Sequence, residues 1–293
     1  MATLRNLVPY RVRMYIKTAW ADLRRDELTP PDKLIRVVGG SILDFKPIGE
    51  SWVAAFVREA GLKPDERVLD LGCGVGRTAV ALTRFMGASG SYEGIDIVLP
   101  SIDWCQRNIT PRCPSFRFTH ADVYNRHYNT AGRVQASEFR LPYPDGEFDF
   151  VFLTSIFTHL VPRDARNYLA EIHRVLKPGG RCFNTFALLT EASRRSIADG
   201  TALGGLSALK HEVEEGCVVA DPADPEFLIA YPQERVEAMY AGCGFLPPVV
   251  RHGNWCGTPD AQRAQDIVIA TKPAAGPAGG AGAGAGAARA SGC

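Results

Sequence analysis

The segment "RVLDLGCGVGRTAVALTRFMG", from Arg67 to Gly87, constrains the fold more than any other. A short apolar run ends in Asp70, glycines follow at every second position (Gly72, Gly74, Gly76), and an alternating apolar stretch begins. The pattern is that of a buried strand, a bare turn and a helix. Missing side chains let a ligand touch the backbone, and a helix start presents free N–H groups to a negative group. In parallel α/β sheets such a turn lies at the carboxyl ends of the strands, where ligands bind near the switch point.

The rest of the chain repeats the alternation. Candidate strands are "RVLDL", "SYEGIDI", "FRFTH", "FDFVFLT", "RCFNTFALL", "PPVVRH" and "DIVIAT". Several are apolar nearly throughout, as strands covered on both faces should be. Helical stretches fall between them. In "RDARNYLAEIHRVL", Tyr168, Leu169, Ile172, Val175 and Leu176 recur at helical spacing, and "KPGG" is expected to stop the helix, with Gly179 left-handed. The alternation predicts an α/β fold with a doubly wound, mainly parallel, seven-stranded sheet. Residues 1–50 read as an N-terminal helical extension and 51–272 as the main domain. Residues 190–232 form an insertion between the fifth and sixth strands. The Gly/Ala-rich tail, 273–293, has no apolar period and is expected to be disordered.

Composition narrows the function. Thirty-three basic and 32 acidic residues leave a net charge of +1, so no overall charge points to nucleic acid or to an anionic membrane. No apolar run is long enough to cross a bilayer. The basic start lacks the apolar segment of a secretory signal. It weakly resembles a transit peptide, but reads better as a surface helix with Arg5, Arg11, Arg13, Lys17, Arg24 and Arg25 on its wet side. Eight cysteines are scattered without a C-x-x-C pair, so neither a metal site nor a redox pair is expected. Free thiols in a reducing cytoplasm are.

Three ligand classes compete for the glycine turn. A dinucleotide wants G-x-G-x-x-G, but Arg77 stands where the third glycine belongs; a Walker loop wants a terminal Gly-Lys-Ser/Thr, which is absent. The spacing D-x-G-x-G-x-G instead resembles the first motif of the class I S-adenosylmethionine-dependent methyltransferases. "YEGIDI", "HADVYN", "LPYPDGEFDFVFLTSIFTHL" and "EIHRVLKPGGR" follow in that family's order, so the resemblance covers roughly Arg67 to Leu189. It implies a Rossmann-like methyltransferase fold and S-adenosyl-L-methionine as cofactor. Asp70 would partner the ammonium, directly or through water, above the backbone of Gly72, Cys73, Gly74 and Gly76. Asp96 would accept from the ribose hydroxyls, with Ile97 beside it. Asp122 would accept from the adenine amino group, next to the Val123 N–H, and Thr154 would close the set. One departure stands out: "VYNRHYNTAGRVQASEFR" intervenes before "LPYPDG". Either Asp122 is the adenine partner and the extra loop lies outside, or Glu138 takes the role. Asp122 is preferred because it abuts a credible strand.

The resemblance implies direct in-line methyl transfer to an acceptor. A hydroxyl acceptor would need a base, and two histidines are candidates. His159 follows the fourth strand. His252 reaches the same edge, with Asn254 and Trp255, if the sixth strand runs parallel. Phe157, Phe186, Tyr231 and Trp255 are candidate walls of an acceptor pocket. The acids of the insertion (Glu212, Glu214, Glu215, Asp221, Asp224, Glu226) would, as a lid, repel phosphate-rich acceptors. A small-molecule or carbohydrate-like acceptor is therefore expected, with no nucleic-acid and no membrane partner. A nicotinamide-dependent oxidoreductase and a non-catalytic S-adenosylmethionine-binding protein are the alternatives. The acceptor and the oligomeric state stay open.

Overall fold

The computed structural model describes residues 9–203, 205–255 and 264–275. Three helices precede the sheet: α1 (Tyr10–Leu23), α2 (Asp32–Val37) and α3 (Phe45–Ala60). Then follow β1 (Arg67–Leu71), α4 (Arg77–Leu82), β2 (Ser91–Asp96), α5 (Leu99–Asn108), β3 (Phe116–His120), β4 (Phe148–Leu153), α6 (Pro162–Val175) and β5 (Leu176–Phe186). After them come β6 (Leu188–Leu189), α7 (Glu191–Ala198), β7 (His211–Glu212), β8 (Val218–Val219), β9 (Ile229–Pro232), α8 (Gln233–Gly242), β10 (Val249–Arg251) and β11 (Asp266–Thr271).

Among the described residues, seven strands form the main sheet in the order β10-β11-β5-β4-β1-β2-β3. β11 runs antiparallel to both neighbours, so β10 is parallel to the rest. The chain winds outward from β1 to β3, then restarts on the other side of β1 at β4. The switch point therefore lies between β1 and β4, at the end of the glycine turn.

Strand alternation divides the core. Leu69, Leu71, Val151 and Leu153 face one layer with Leu169 and Ile172 of α6. Val68, Phe150 and Phe152 face the other, with Phe45 and Phe56 of α3 and Ile102 of α5. Phe56 sits 4.5 Å from the Phe152 ring, 4.8 Å from Phe183 and 5.3 Å from Phe150. The helix carrying Phe56 is thus part of the main core, and it runs across the boundary drawn at residue 50.

Two expectations change. The helix before "KPGG" ends at Val175, and Gly179 (φ +78°) belongs to an irregular start of β5, where the pairing with β4 shifts register. Pro178 disfavours helical geometry at the residue before it, so the chain goes extended earlier than the apolar period indicates. The 190–232 insertion is also more than a lid. With Leu188–Leu189 it builds a small sheet, β6-β9-β8-β7, over its own core of Leu189, Leu206, Leu209, Val218, Ala230 and Trp255. From residue 276 on, the tail lies outside the described residues.

Candidate active site

The turn after β1 is held against β2 by its own backbone. The N–H groups of Gly72 and Cys73 both donate to the Ile95 carbonyl, at 2.8 and 3.0 Å. Gly72 has φ +85°, and a Cβ there would lie 2.4 Å from Ile156 Cδ1. Asp96, at the end of β2, locks the turn: its Oδ2 accepts from the Gly74 N–H at 2.7 Å and its Oδ1 from the Val98 N–H at 2.8 Å. Burial pushes the Asp96 carboxyl upward, while these N–H groups pull it back down.

Above the turn opens a cavity of about 450 Å³, within the range of small-molecule sites. Gly72, Gly74, Asp96, Ile97, Val123 and Thr154 line it. These belong to the ends of β1 and β2 and to the connections after β3 and β4, so sheet topology alone brings them together.

The other expected cofactor residues lie elsewhere. Asp70 points into the α3–α5 layer, 2% exposed, where its Oδ2 accepts from the Tyr92 hydroxyl at 2.7 Å. Its Oδ1 is buried without a partner, and burial raises its pKa to about 8. The place of Asp70 follows from the alternation of β1, which sends Leu69 and Leu71 to the opposite face. Cys73 is buried under the turn, against Gly94 of β2. Gly76 begins α4, and a Cβ there would meet Ile109 Cδ1 at 2.7 Å and Cys105 Sγ at 3.1 Å. Its bareness serves the packing of α4 on the α5 region. Asp122 turns away from the cavity and ion-pairs with Arg133, whose backbone N–H it also accepts at 3.2 Å; Arg133 holds its carboxyl below the usual range. Asp122 thereby clamps the base of the 122–133 loop. Glu138 is exposed and also off the cavity wall.

That loop does not lie outside the site, as expected. It brings Tyr124, Asn125 and Tyr128 to the cavity and then docks on the insertion. Asn125 Nδ2 donates to Glu226 Oε2 at 3.2 Å, Arg126 donates to the Ala223 carbonyl at 2.6 Å, and the His127 ring meets Asp224 at 3.0 Å. Glu215 pairs with Arg166 and Arg235. Asp224, Glu226 and Glu215 therefore act as ties between segments, which removes much of the repulsive field the sequence implied.

His159 lines the cavity from the 3-10 turn Phe157–His159. Its Nδ1 lies 3.0 Å from the Glu226 carbonyl. A carbonyl only accepts, so Nδ1 carries the hydrogen and Nε2 of the neutral ring is left as a proton acceptor. His252 also follows a parallel strand, yet it lies two strands beyond β5. It does not line the cavity. It stands 41% exposed with Nδ1 3.6 Å from Asp266. Asp266 itself is buried and structural, accepting from the Gly253 and Leu188 N–H groups at 2.7 Å and from Trp255 Nε1 at 2.6 Å. The expected aromatic pocket is likewise corrected: Phe157, Phe186, Tyr231 and Trp255 are all buried in cores. Tyr124, Tyr128, Phe139 and Tyr168 take that place.

Three features gave no sequence signal. Val38 and Gly39, from the connection after α2, form part of the wall, and Arg77 reaches over to donate to the Gly39 carbonyl. Ser155 adopts φ +62° at the end of β4, unusual for a non-glycine residue. The Thr185 hydroxyl accepts from its N–H at 2.8 Å, and Gln265 Oε1 accepts from its hydroxyl at 3.0 Å. No cluster of ligating side chains able to hold a metal occurs among the described residues.

Residues 69–184 match the family model described as a methyltransferase domain. The chain is 33% identical over 144 residues to an arsenite methyltransferase of Aquipseudomonas alcaligenes, covering 47% of this chain and 39% of that protein. It is 28% identical over 129 residues to a demethylmenaquinone methyltransferase of Lysinibacillus sphaericus, covering 44% of this chain and 47% of that protein. The chain thus spans about half, or less, of the length of these curated relatives. Among solved structures, the PH0226 protein of Pyrococcus horikoshii OT3 superposes with a TM-score of 0.52 at 18% identity, over 80% of this chain and 93% of that one; this likeness concerns the fold. The residues present fit S-adenosylmethionine: the turn approaches the cavity without side chains at Gly72 and Gly74, and a carboxylate stands beside them at the end of β2. The segment that runs from β1 to β5 is thus similar to a methyltransferase domain, the family whose motifs the glycine turn and the strand ends resemble.

Proposed function

We propose that the chain transfers the methyl group of S-adenosylmethionine to a small-molecule acceptor, with His159 receiving the acceptor's proton. The observation that carries this reading is the cavity itself. It is lined both by the bare turn with Asp96 and by His159 with four aromatic rings. Gly72, Gly74, Asp96, Ile97, Val123 and Thr154 would hold the cofactor, which supplies a sulfonium methyl electrophilic enough to need no further activation. The chain's own task is to hold an acceptor atom in line behind that methyl and to keep water out. Such orientation supplies about 7–11 kcal/mol of a barrier. His159 Nε2 accepts the proton that a hydroxyl acceptor must lose, while the Glu226 carbonyl fixes the ring.

Tyr124, Tyr128, Phe139 and Tyr168 favour an acceptor with an apolar face, and a carbohydrate-like ring is one such molecule. The near-balanced charge supports a small molecule over nucleic acid, and a gel shift with RNA at physiological salt is expected to show no complex. The test is incubation with methyl-labelled S-adenosylmethionine and a metabolite extract, followed by mass spectrometry. A labelled product is expected. A titration in which the protein binds NAD and ignores S-adenosylmethionine would return the reading to an oxidoreductase. Tight cofactor binding with no product from any extract would leave a non-catalytic binder.

A further inference from the structure

The helix α1 turns the wrong face outward. Met14, Thr18 and Ala21 face the protein, and Thr18 is the buried one. Val12, Tyr15, Ile16, Trp20 and Leu23 face solvent, with Tyr15 74%, Trp20 55% and Leu23 82% exposed. An ordinary surface helix sends such a stripe to the core, and single exposed apolar residues need no explanation, but a contiguous stripe does. The sequence expectation placed the cations on the wet side, Arg5 lying outside the described residues; the structure puts these apolar residues there as well.

The charges around the stripe say what covers it. Arg11 borders one side, and Lys17 and Arg24 the other. None of these three forms an ion pair with a described residue, and the Arg24 guanidinium lies over the Trp20 ring at 4.9 Å. The acid of the helix, Asp22, lies at the Arg11 edge of the stripe and is engaged there: it pairs with Arg25 and accepts the Asp32 N–H at 3.2 Å. The outward face is therefore apolar and aromatic in the middle and cationic at its edges, and its one acid, Asp22, is paired with Arg25. A second copy docked on it would set like charges against each other. An anionic bilayer surface matches both parts, because the apolar side chains enter the headgroup boundary while the cations stay at phosphate level.

We propose that α1 is an in-plane anchor that places this chain on an anionic lipid surface. It lies on the membrane without crossing it, since no helix among the described residues is long and apolar enough to span one. The anchor is independent of the proposed reaction, and its test does not use activity. The full chain is sedimented with phosphatidylcholine vesicles, with and without phosphatidylserine. Co-sedimentation is expected with the anionic vesicles, falling as salt rises. Lys17→Gln is expected to lower partitioning about fivefold, the worth of one cation near such a surface. The double variant Ile16→Glu, Trp20→Glu is expected to abolish it with an unchanged unfolding midpoint, since both side chains are exposed. Absence of binding to anionic vesicles at low salt, or undiminished binding of the double variant, overturns the proposal. So does a dimer, seen by light scattering, that the double variant loses while the wild-type chain ignores vesicles.

Discussion

At the scale of single residues, two histidines that looked equivalent separate by one contact each. His159 lines the cavity with its Nδ1 occupied by the Glu226 carbonyl, whereas His252 stands beside buried Asp266. His159→Ala is expected to lower kcat by about 10²- to 10⁴-fold, the usual contribution of a general base. His252→Ala is expected to leave kcat within a few-fold. Both are read at saturating cofactor, once an acceptor is in hand. Asp70 supplies a second residue-level prediction. Its carboxyl moves from 3.8 to about 8 because burial opposes the charge. Between those values the folded chain holds a proton that the unfolded chain has lost. Stability must then fall as pH rises from about 4 to about 8, with the contribution intact below that window. Asp70→Asn, which can still accept from Tyr92, should flatten this dependence in urea unfolding measured at several pH values. Parallel curves for the two proteins would contradict the buried, neutral carboxyl.

At the scale of elements, the glycine turn divides its labour. Gly72 keeps the cavity floor bare and avoids strain at positive φ, while Gly76 lets α4 approach Ile109 and Cys105. Gly76→Ala is expected to destabilise by about 1–3 kcal/mol through overpacking and by about 1–3 kcal/mol more through strain at its φ of +77°, and to spare cofactor affinity. Gly72→Ala adds strain of about 1–3 kcal/mol and displaces Ile156, itself part of the cavity lining, so cofactor binding should weaken about tenfold or more. Thermal unfolding and calorimetric titration of both variants check the contrast; identical effects would show that the turn acts as a single unit. The insertion and the 122–133 loop form a second paired element. Tyr124, Asn125 and Tyr128 of the loop line the cavity, and the contacts of Asn125, Arg126 and His127 with residues 223–226 brace that wall from behind its lining.

At the scale of the whole molecule, a ligand that binds only the folded chain stabilises all of it. S-adenosylhomocysteine at a hundred times its Kd is expected to add about 2.7 kcal/mol, seen as a rise of several degrees in Tm. An unmoved Tm at millimolar ligand would remove the basis of the proposed function. Much of this architecture was legible beforehand. The seven strands of the main sheet follow from apolar runs such as "FDFVFLT" and "DIVIAT", and the glycine turn and Asp96 follow from their place at strand ends. The face each side chain would present was less legible. Asp70 sat in the right motif but on the core side of β1. Asp122 sat after the right strand but was drawn off by Arg133, eleven residues away.

The sequence by itself determined the strands of the main sheet, their mainly parallel winding and the position of the turn, because hydrophobic period and backbone freedom are local properties. Only the tertiary structure decided which side chains meet in the cavity, because those contacts join distant segments: His159 with Glu226, Asn125 with the insertion, Arg77 with Gly39. Pairing across such distances depends on how the layers pack, and no local pattern encodes it.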